Sequence, residues 1–240
     1  MCIRDRHNLI IINLKHKSNQ FKINKKMSDD QHILKRLTNE NQRKIIEFKE
    51  NLKVKSAKKG SGGFIGGVRR VMGGAVSSKT FRDGSEYQGE LSVGGDREGQ
   101  GIIEFKNGDV YFGSWKNDLF HGKGTYIFRS QERYYGDLIQ GYREGEGEFF
   151  YANGNKYSGS WRKNEKNGRG FLYFSNGNVY EGNWKDGLYN GNGKETFFHG
   201  DLYEGQFRHG KKNGNGTYKF DCKSEYNGEW KNGRADGLGK

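Results

Sequence analysis

The chain has 240 residues, of which 39 are glycine and none is proline, and only 31% are hydrophobic, which is too few for a thick two-layer core. No apolar run approaches the ~20 residues that a membrane-spanning helix needs. The net charge of +13 is concentrated in residues 1–86, which hold 20 Lys and Arg against 8 Asp and Glu and leave residues 87–240 close to neutral.

Residues 1–26 are predicted to be a disordered leader that lies outside the folded protein. The stretch Met1-Cys-Ile-Arg-Asp-Arg6 resembles translated adapter sequence, so we expect the native start at Met27. The alternative is an organelle-targeting leader, because the stretch is basic and Asp5 is its single acid. It lacks a convincing amphipathic period, however.

Residues 27–59 are predicted to form a basic amphipathic helix. Ser28 stands at an N-cap position, Asp29 and Asp30 follow in the first turn, and Gly60 is a natural stop. The apolar residues fall on one stripe, interrupted by Asn41: Ile33, Leu37, Ile45, Phe48 and Leu52. Such a stripe suits either a helix that binds a partner or dimerises, or a solvated helix that lies on the repeat array.

Residues 60–80 are rich in glycine and serine, which is typical of a flexible linker. The alternative is a contact with an anionic membrane surface, in which apolar residues dip into the bilayer and basic residues meet the headgroups. The basic residues concerned lie at the end of the helix and in the linker: Lys53, Lys55, Lys58, Lys59, Arg69 and Arg70.

Residues 81–240 form a tandem repeat of seven units. The leading tyrosines are 24 residues apart once and 23 apart five times: Tyr87, Tyr111, Tyr134, Tyr157, Tyr180, Tyr203 and Tyr226. Counted from the tyrosine, glycine follows at +2, a large apolar residue at +4, and two glycines at +11 and +13; in the first unit the glycine pair comes one residue later. A fixed period over seven units indicates a repeat architecture.

Each unit is predicted to be a β-hairpin, because Tyr-x-Gly-x-Trp alternates as a strand does and Asn-Gly and Lys-Asn-Gly are turn sequences. The predicted pairing places +4 opposite +13, +2 opposite +15 and the tyrosine opposite +17, so that each large ring packs against a glycine. It assumes a three-residue boundary loop with a glycine bulge. A two-residue boundary turn is disfavoured, because it would put the tyrosine on the face of polar residues such as Glu104.

The pattern Tyr-x-Gly-x-Trp followed by Gly-x-Gly resembles the MORN repeat (membrane occupation and recognition nexus) over residues 87–240. The resemblance implies an all-β fold, an elongated single antiparallel sheet of tandem hairpins, preceded here by an N-terminal α-helix and a flexible leader. The seventh unit is incomplete at Lys240. We expect either that the sequence is a fragment or that its last hairpin leaves an open sheet edge, which pairs with a partner or a second copy of the chain.

No constellation of residues typical of catalysis is found in the sequence, so we predict no enzyme, no cofactor and no metal. The histidines lack a metal-binding spacing, and the segment from Gly205 to Lys212 resembles a phosphate-binding loop without the Ser or Thr that holds magnesium. Cys2 and Cys222 predict a reducing compartment without a disulfide. Nucleic-acid binding is disfavoured, because no aromatic residues are interleaved with the basic leader.

Four apolar residues break the polar pattern on the outward face of the middle units: Ile127, Phe150, Phe171 and Tyr173. They predict a docking stripe for a helix, either from a partner or from residues 33–52 of this chain. The alternative is tolerated scatter, since apolar surface is common in folded proteins.

Three functions follow from the resemblance. The first is a non-catalytic scaffold for protein–protein interaction in the cytoplasm, with cytoskeletal or ciliary assemblies implied by radial-spoke-head members of the family. The second is a membrane-associated tether that binds anionic phospholipids, as junctophilin-type members imply. The third is a regulatory fragment of a larger lipid kinase or methyltransferase, because MORN arrays precede such domains in some relatives.

Overall fold

A computed structural model describes residues 39–54 and 76–239 of the chain. The predicted leader, most of the predicted linker, and Ile33 and Leu37 of the helical stripe lie outside the described residues. Residues 39–54 form a helix, α1, within the range predicted to be helical.

The remaining described residues form one antiparallel sheet in which each strand pairs with the strands before and after it in sequence. The strands are β1 (Val76–Thr80), β2 (Glu86–Leu91), β3 (Arg97–Glu104), β4 (Val110–Lys116), β5 (Leu119–Ile127), β6 (Arg133–Ile139), β7 (Tyr142–Phe150), β8 (Lys156–Arg162), β9 (Glu165–Tyr173), β10 (Val179–Lys185), β11 (Leu188–Thr196), β12 (Leu202–Arg208), β13 (Lys211–Lys219), β14 (Glu225–Lys231) and β15 (Arg234–Gly239). The predicted all-β sheet of tandem hairpins with an N-terminal helix is confirmed. β1 occupies the end of the range predicted as linker, so the sheet begins before residue 81.

Two kinds of turn join the strands. Within the second unit, Asn117 and Asp118 both have positive φ (49° and 63°), as in a two-residue type I′ turn, whose twist matches that of the flanking strands. Between units, the N–H of Phe105 donates to the carbonyl of Asp109 (2.9 Å) and leaves a three-residue loop that ends at Gly108, with φ of 88°. The predicted length of the boundary loop is therefore correct.

The predicted pairing of strands within a unit is wrong by two residues up to +2 and by four residues beyond it, where Trp115 pairs with Phe120. Tyr111 pairs with Tyr126 at +15, and Gly113 at +2 pairs with Gly124 at +13. A β-bulge then shifts the register between +2 and +4 within each full unit. Each residue at +4 lies opposite the +11 glycine of the preceding unit, as Trp161 does opposite Gly145. The prediction failed because it centred the boundary loop one residue too late and assumed strands without a bulge.

Glycine faces glycine because the leading tyrosine covers both of them. A Cβ added to Gly147 would lie 2.5 Å from the hydroxyl of Tyr134, and one added to Gly136 would lie 2.5 Å from the Cα of Gly147. The Tyr134 hydroxyl reaches past the pair and donates to the carbonyl of Asp137 (2.7 Å). The same hydrogen bond to the +3 carbonyl occurs in all seven units.

The rings form a continuous core on one face of the sheet. Tryptophans stack edge-on against tyrosines of their own and the preceding unit, as Trp184 does against Tyr157 and Tyr180, with ring centroids 5.1 and 5.4 Å apart. Each tryptophan also donates its indole N–H to a glycine carbonyl one unit earlier, 3.2 Å away for Trp184 and Gly170. Burial of large rings in such pairs is the main stabilising contribution available to a single-layer sheet.

Four cations cover the open side of this core. Arg97, Arg143, Lys166 and Lys212 lie over tryptophan rings; the closest, Lys166, has its Nζ 4.3 Å from the centroid of Trp184. Burial lowers the pKa of Lys166, and the neighbouring charge of Arg143 lowers it further. The alkyl stems of the four cations shield the rings from water, and their charged groups lie against the ring faces.

We predict that Gly147→Ala destabilises the sheet by about 1–3 kcal/mol, the usual cost of overpacking, because the new methyl group would displace the ring of Tyr134. The urea midpoint of the strand signal in circular dichroism measures the loss. Gly94→Ala is the matched control, since a Cβ there meets nothing nearer than 3.6 Å. Equal midpoints for the two variants would contradict the packing described here.

We also predict that the sheet loses stability in alkali. Burial raises the pKa of Tyr203 from its usual 10.0 to about 12. The raised pKa means that the folded state favours the neutral hydroxyl. The contribution of Tyr203 to the stability of the sheet is therefore complete below pH 10.0 and is lost as the pH rises through about 12. The urea midpoint should fall over this range as the Tyr203 phenolate forms, which the ring signals of Tyr203 in NMR report; ionisation of Tyr203 near pH 10.0 in the folded chain would contradict it.

Candidate interaction face

The face of the sheet opposite the tyrosine rings, here called the outer face, carries the side chains at +1, +3, +12, +14 and +16 and the residue just before each tyrosine. In the first unit, which has one extra residue, the last three of these numbered positions come one later. α1 lies on this face. Ile45 and Leu52 of α1 are buried together with three residues of the sheet, Ile102, Phe112 and Ile127. Phe48, Val76 and Val110 complete the contact. The helix thus forms a second, smaller hydrophobic core on the side of the sheet that the repeats alone leave polar.

α1 crosses the strands. Near its start, Asn41 meets Arg133 of β6; further along, Phe48 packs on Phe112 of β4 with ring centroids 5.1 Å apart. Lys49 then forms an ion pair with Glu104 at the end of β3. The N-terminal end of α1 therefore points toward β7 and the strands that follow it.

Arg133 fixes the start of α1 on the sheet. Its side chain is almost fully buried, and its Nη1 donates to the Asn41 Oδ1 (2.8 Å) and lies 3.2 Å from the carboxylate of Glu40. The guanidinium also lies 4.3 Å from the ring centroid of Phe150. Because a buried charge is costly without partners, removal of Asn41 or Glu40 would weaken this contact.

The contact is not fully satisfied. The Asn41 Nδ2 and the Arg133 Nε find no hydrogen-bond partner among the described residues. Partial burial raises the pKa of Glu40, but hydrogen bonds and charges from Lys44 and Arg133 outweigh it and hold the pKa below its usual value. The contribution of Glu40 is therefore present above its unfolded-state pKa and is lost as the pH falls through the lowered one.

The four residues predicted as a docking stripe all lie on the outer face, but α1 buries only one of them. Ile127 is under the helix. Phe150 is half-buried between Arg133 and Lys156, whose Nζ lies 5.1 Å from its ring centroid. Phe171 and Tyr173 stack on one another at 12°, and Tyr173 is 42% exposed. We call Phe150, Phe171 and Tyr173 the aromatic strip; it continues the apolar surface beyond the N-terminal end of α1.

Beyond the aromatic strip, a shallow polar groove runs over β9 to β12. It is floored by glycines and lined by Arg169, Glu181, Asn183, Asn192, Lys194 and Glu204. Arg169 and Glu181 form an ion pair across its wall (2.8 Å). Throughout the described part of the chain, no three His, Cys, Asp or Glu residues are arranged to hold a metal ion.

Of the residues predicted to contact an anionic surface, only Lys53 is described. It is exposed near the end of α1. Lys55, Lys58, Lys59, Arg69 and Arg70 lie outside the described residues. α1 itself is neither long nor apolar enough to span a membrane, and the described residues hold no other helix.

Ile102, Phe112 and Arg133 belong to the interaction face but were missed by the sequence reasoning. Ile102, one unit before Ile127, and Phe112, in the same unit as Ile127, break the polar pattern as Ile127 does, and the same criterion applied to the first two units would have found them. Arg133 precedes a leading tyrosine, where other units have Val110, Lys156 or Glu225. Nothing in the repeat pattern marks it as buried.

We predict that Ile45→Asp releases α1 from the sheet, because Ile45 is only 9% exposed and the carboxylate would be buried without a partner. Amide hydrogen exchange in residues 39–54 should accelerate on the order of tenfold or more, since the tertiary contact protects so short a helix. Ile46→Asp is the control, because the neighbouring Ile46 is 54% exposed. Equal acceleration in both variants would contradict the docking of α1.

Comparison with known families identifies the repeat. The family model described as MORN repeat matches residues 87–110, 111–133, 134–156, 157–179, 180–201, 203–221 and 226–240. These segments start at the leading tyrosines, so the match follows the hairpin units of the structure. No match was found among curated proteins.

Several solved structures are similar to this chain at low sequence identity. They include the SAS-4 (dCPAP) TCP domain of Drosophila melanogaster in complex with a proline-rich motif of Ana2, at 14% identity and a TM-score of 0.36 over 68% of this chain and 93% of that one. The CPAP G-box domain has 12% identity and a TM-score of 0.30, covering 64% of this chain and 92% of that chain. The E1021V mutant of the TCP10 domain of Danio rerio CPAP has 12% identity and a TM-score of 0.23, covering 64% and 82%. TM-scores this low carry no conclusion about function.

Proposed function

The chain belongs to the MORN-repeat family, and from this premise we propose that it is a non-catalytic scaffold that binds partner proteins through the outer face of its sheet. The MORN repeat is a non-catalytic repeat module. The observation that carries the proposal is α1, an amphipathic helix already buried on this face against Ile102, Phe112 and Ile127.

The aromatic strip is the part of this face that fits a partner. It is continuous with the α1 contact through Arg133, which touches both Asn41 and Phe150. Phe150 lies on β7 and Tyr173 on β9, so the strip spans two strand spacings, about 10 Å. Two turns of an α-helix advance by nearly the same length, about 11 Å. An amphipathic helix that prolongs the line of α1 would therefore place apolar residues at i, i+4 and i+7 on the strip.

Charges around the strip favour a helix with polar flanks of both signs. Lys156 pairs with Glu148 beside Phe150, and the polar groove beyond Tyr173 carries Arg169, Lys194 and two glutamates. A helix whose flanks carried charges of one sign would complement either the acidic or the basic residues around the strip. A helix with acidic and basic residues on its flanks complements both. The proposed partner thus has an apolar stripe with acidic and basic residues on either side.

The proposal also covers the cellular location of the scaffold and the assemblies it belongs to. The resemblance to radial-spoke-head proteins supports a place in cytoskeletal or ciliary assemblies and a cytoplasmic location. The tether on anionic phospholipids is the second candidate, and the concentration of positive charge in residues 1–86 favours it. A regulatory role beside a lipid kinase or methyltransferase domain, and edge-to-edge association through the last repeat, stay predictions.

The test is selection of 16-residue helical peptides from a displayed library with the full chain as bait. We expect the selected peptides to carry apolar residues at i, i+4 and i+7. Their affinity for Phe171→Ser/Tyr173→Ser should fall on the order of tenfold, as loss of two aromatic anchors at an interface gives. Fluorescence anisotropy with labelled peptides measures the change.

Leu119→Ser/Leu188→Ser is the matched control, because both leucines are 47% exposed and lie away from the strip. Peptides that lack a helical pattern, or that lose equal affinity for both variants, would refute the proposal.

A further variant, Ile33→Ser/Leu37→Ser, tests whether these two residues of the chain itself compete with the peptides for the strip. If they do, the selected peptides bind this variant more tightly than the original chain.

A further inference from the structure

The within-unit turns all lie along one long edge of the sheet, here called the tip edge. In units two to seven each turn is flanked by the residues at +5 and +8, which pair with one another across the hairpin, as Arg208 and Lys211 do. The turns are tight and have positive φ, for example His209 at 50° and Gly210 at 79°. The flanking residues are therefore held at fixed positions on a rigid edge.

In units four to seven the tip edge carries a row of cations, here called the cation ladder. It consists of the +5 residues Arg162, Lys185, Arg208 and Lys231, and the +8 residues Lys211 and Arg234. All six are exposed. The acids nearest in the hairpins are Glu165, opposite Arg162, and Asp186, which follows Lys185. In the last unit, Glu229 and Asp236 pair with one another two residues further in from Lys231 and Arg234. The opposite edge of the sheet, formed by the boundary loops, has acids and cations mixed.

The ladder cations have no partner among the described residues: no ion pair, side-chain hydrogen bond or ring contact is made by a ladder side chain. By contrast, Arg143, Lys166 and Lys212 lie over aromatic rings of the core, and on the outer face Lys123, Lys156 and Arg169 pair with carboxylates. Other exposed cations, such as Lys219 and Lys223, are unpaired too. What sets the ladder apart is that its six unpaired charges form one row along the tip edge.

Two pairs within the ladder work against the fold. Arg208 faces Lys211, and Lys231 faces Arg234, as direct cross-strand neighbours. Like charges in such positions destabilise a hairpin. Such a loss of hairpin stability, repeated in two successive units, is expected where the residues serve to bind a ligand of opposite charge.

The spacing of the ladder indicates the ligand. Successive units advance by two strand spacings of about 4.8 Å each, so the +5 cations recur about every 9.6 Å. A polyproline II chain advances by about 3.1 Å per residue with three residues per turn, so every third side chain recurs on one face at about 9.3 Å. An α-helix with acids seven residues apart repeats at about 10.5 Å and drifts out of step over four units. Phosphates along each strand of duplex DNA are much closer, about 3.4 Å apart along the axis.

We propose that the cation ladder binds an extended acidic polypeptide segment that carries a carboxylate at every third residue. Four such carboxylates would meet Arg162, Lys185, Arg208 and Lys231, while Lys211 and Arg234 add charge at the end of the row. The cation ladder is separate from the aromatic strip. Its proposed ligand is an extended chain, whereas the proposed ligand of the strip is a helix.

The probe is a labelled peptide of four Glu-Pro-Pro triplets, measured by fluorescence anisotropy with the full chain. We expect it to bind more tightly than a peptide of the same composition with its glutamates in one block, and more tightly than a helical peptide with glutamates seven residues apart. Arg208→Ser/Lys211→Ser/Lys231→Ser/Arg234→Ser should bind on the order of tenfold more weakly, with a shallower dependence on salt.

The matched control, Lys106→Ser/Arg129→Ser/Lys219→Ser/Lys223→Ser, removes four exposed cations from outside the ladder and should keep its affinity within about twofold. The ladder variant should unfold at the same or a higher urea concentration, because its like-charge pairs are gone. Equal binding of the spaced and blocked peptides, or equal losses in both variants, would overturn the proposal. So would ladder-dependent binding of phosphatidylserine vesicles or duplex DNA in place of the spaced peptide.

Discussion

The structure depends on one contact, the ring of each leading tyrosine lying across a pair of glycines from adjacent strands. The ring reaches the pair only because neither glycine has a Cβ, and its hydroxyl closes a hydrogen bond to the +3 carbonyl beyond them. The tyrosine thereby buries itself against its own sheet without a second layer. Tryptophans then fill the space between successive tyrosines, and four cations cover them. This arrangement explains how a chain poor in hydrophobic residues holds a fifteen-stranded sheet.

Because the tyrosine side of the sheet is filled by its own rings, the binding sites that we propose lie on the outer face and along the tip edge. The outer face is apolar where Ile102, Phe112 and Ile127 meet α1 and along the aromatic strip beyond it. The tip edge carries the cation ladder in units four to seven, whereas Ile139 and Tyr142 occupy the same positions in the third unit. Arg133 lies at the junction between the covered and the open parts of the outer face, bound to Asn41 on one side and stacked on Phe150 on the other.

The repeat pattern predicted the fold class, the hairpin units and the three-residue boundary loops, because these depend on local turn chemistry and on a period that seven units repeat. It misplaced the pairing, because it centred the boundary loop one residue too late and because the bulge after +2 leaves no mark in a period of 23 or 24 residues. Ile127 and Phe150 were recognisable as outward apolar residues. The buried position of Arg133 was not, since it depends on a helix more than ninety positions away in the chain.

The contact between the tyrosine ring and the glycine pair is tested most directly by proton NMR of the glycines at +2 and +13. One α proton of each glycine should point at the ring and be displaced upfield by its current, while the α protons of Gly94, which no ring covers, stay near their usual positions. Replacement of Tyr134 by leucine should remove the displacement from Gly136 and Gly147 alone. Glycine shifts that are ordinary in the intact chain, or unchanged by that replacement, would contradict the account.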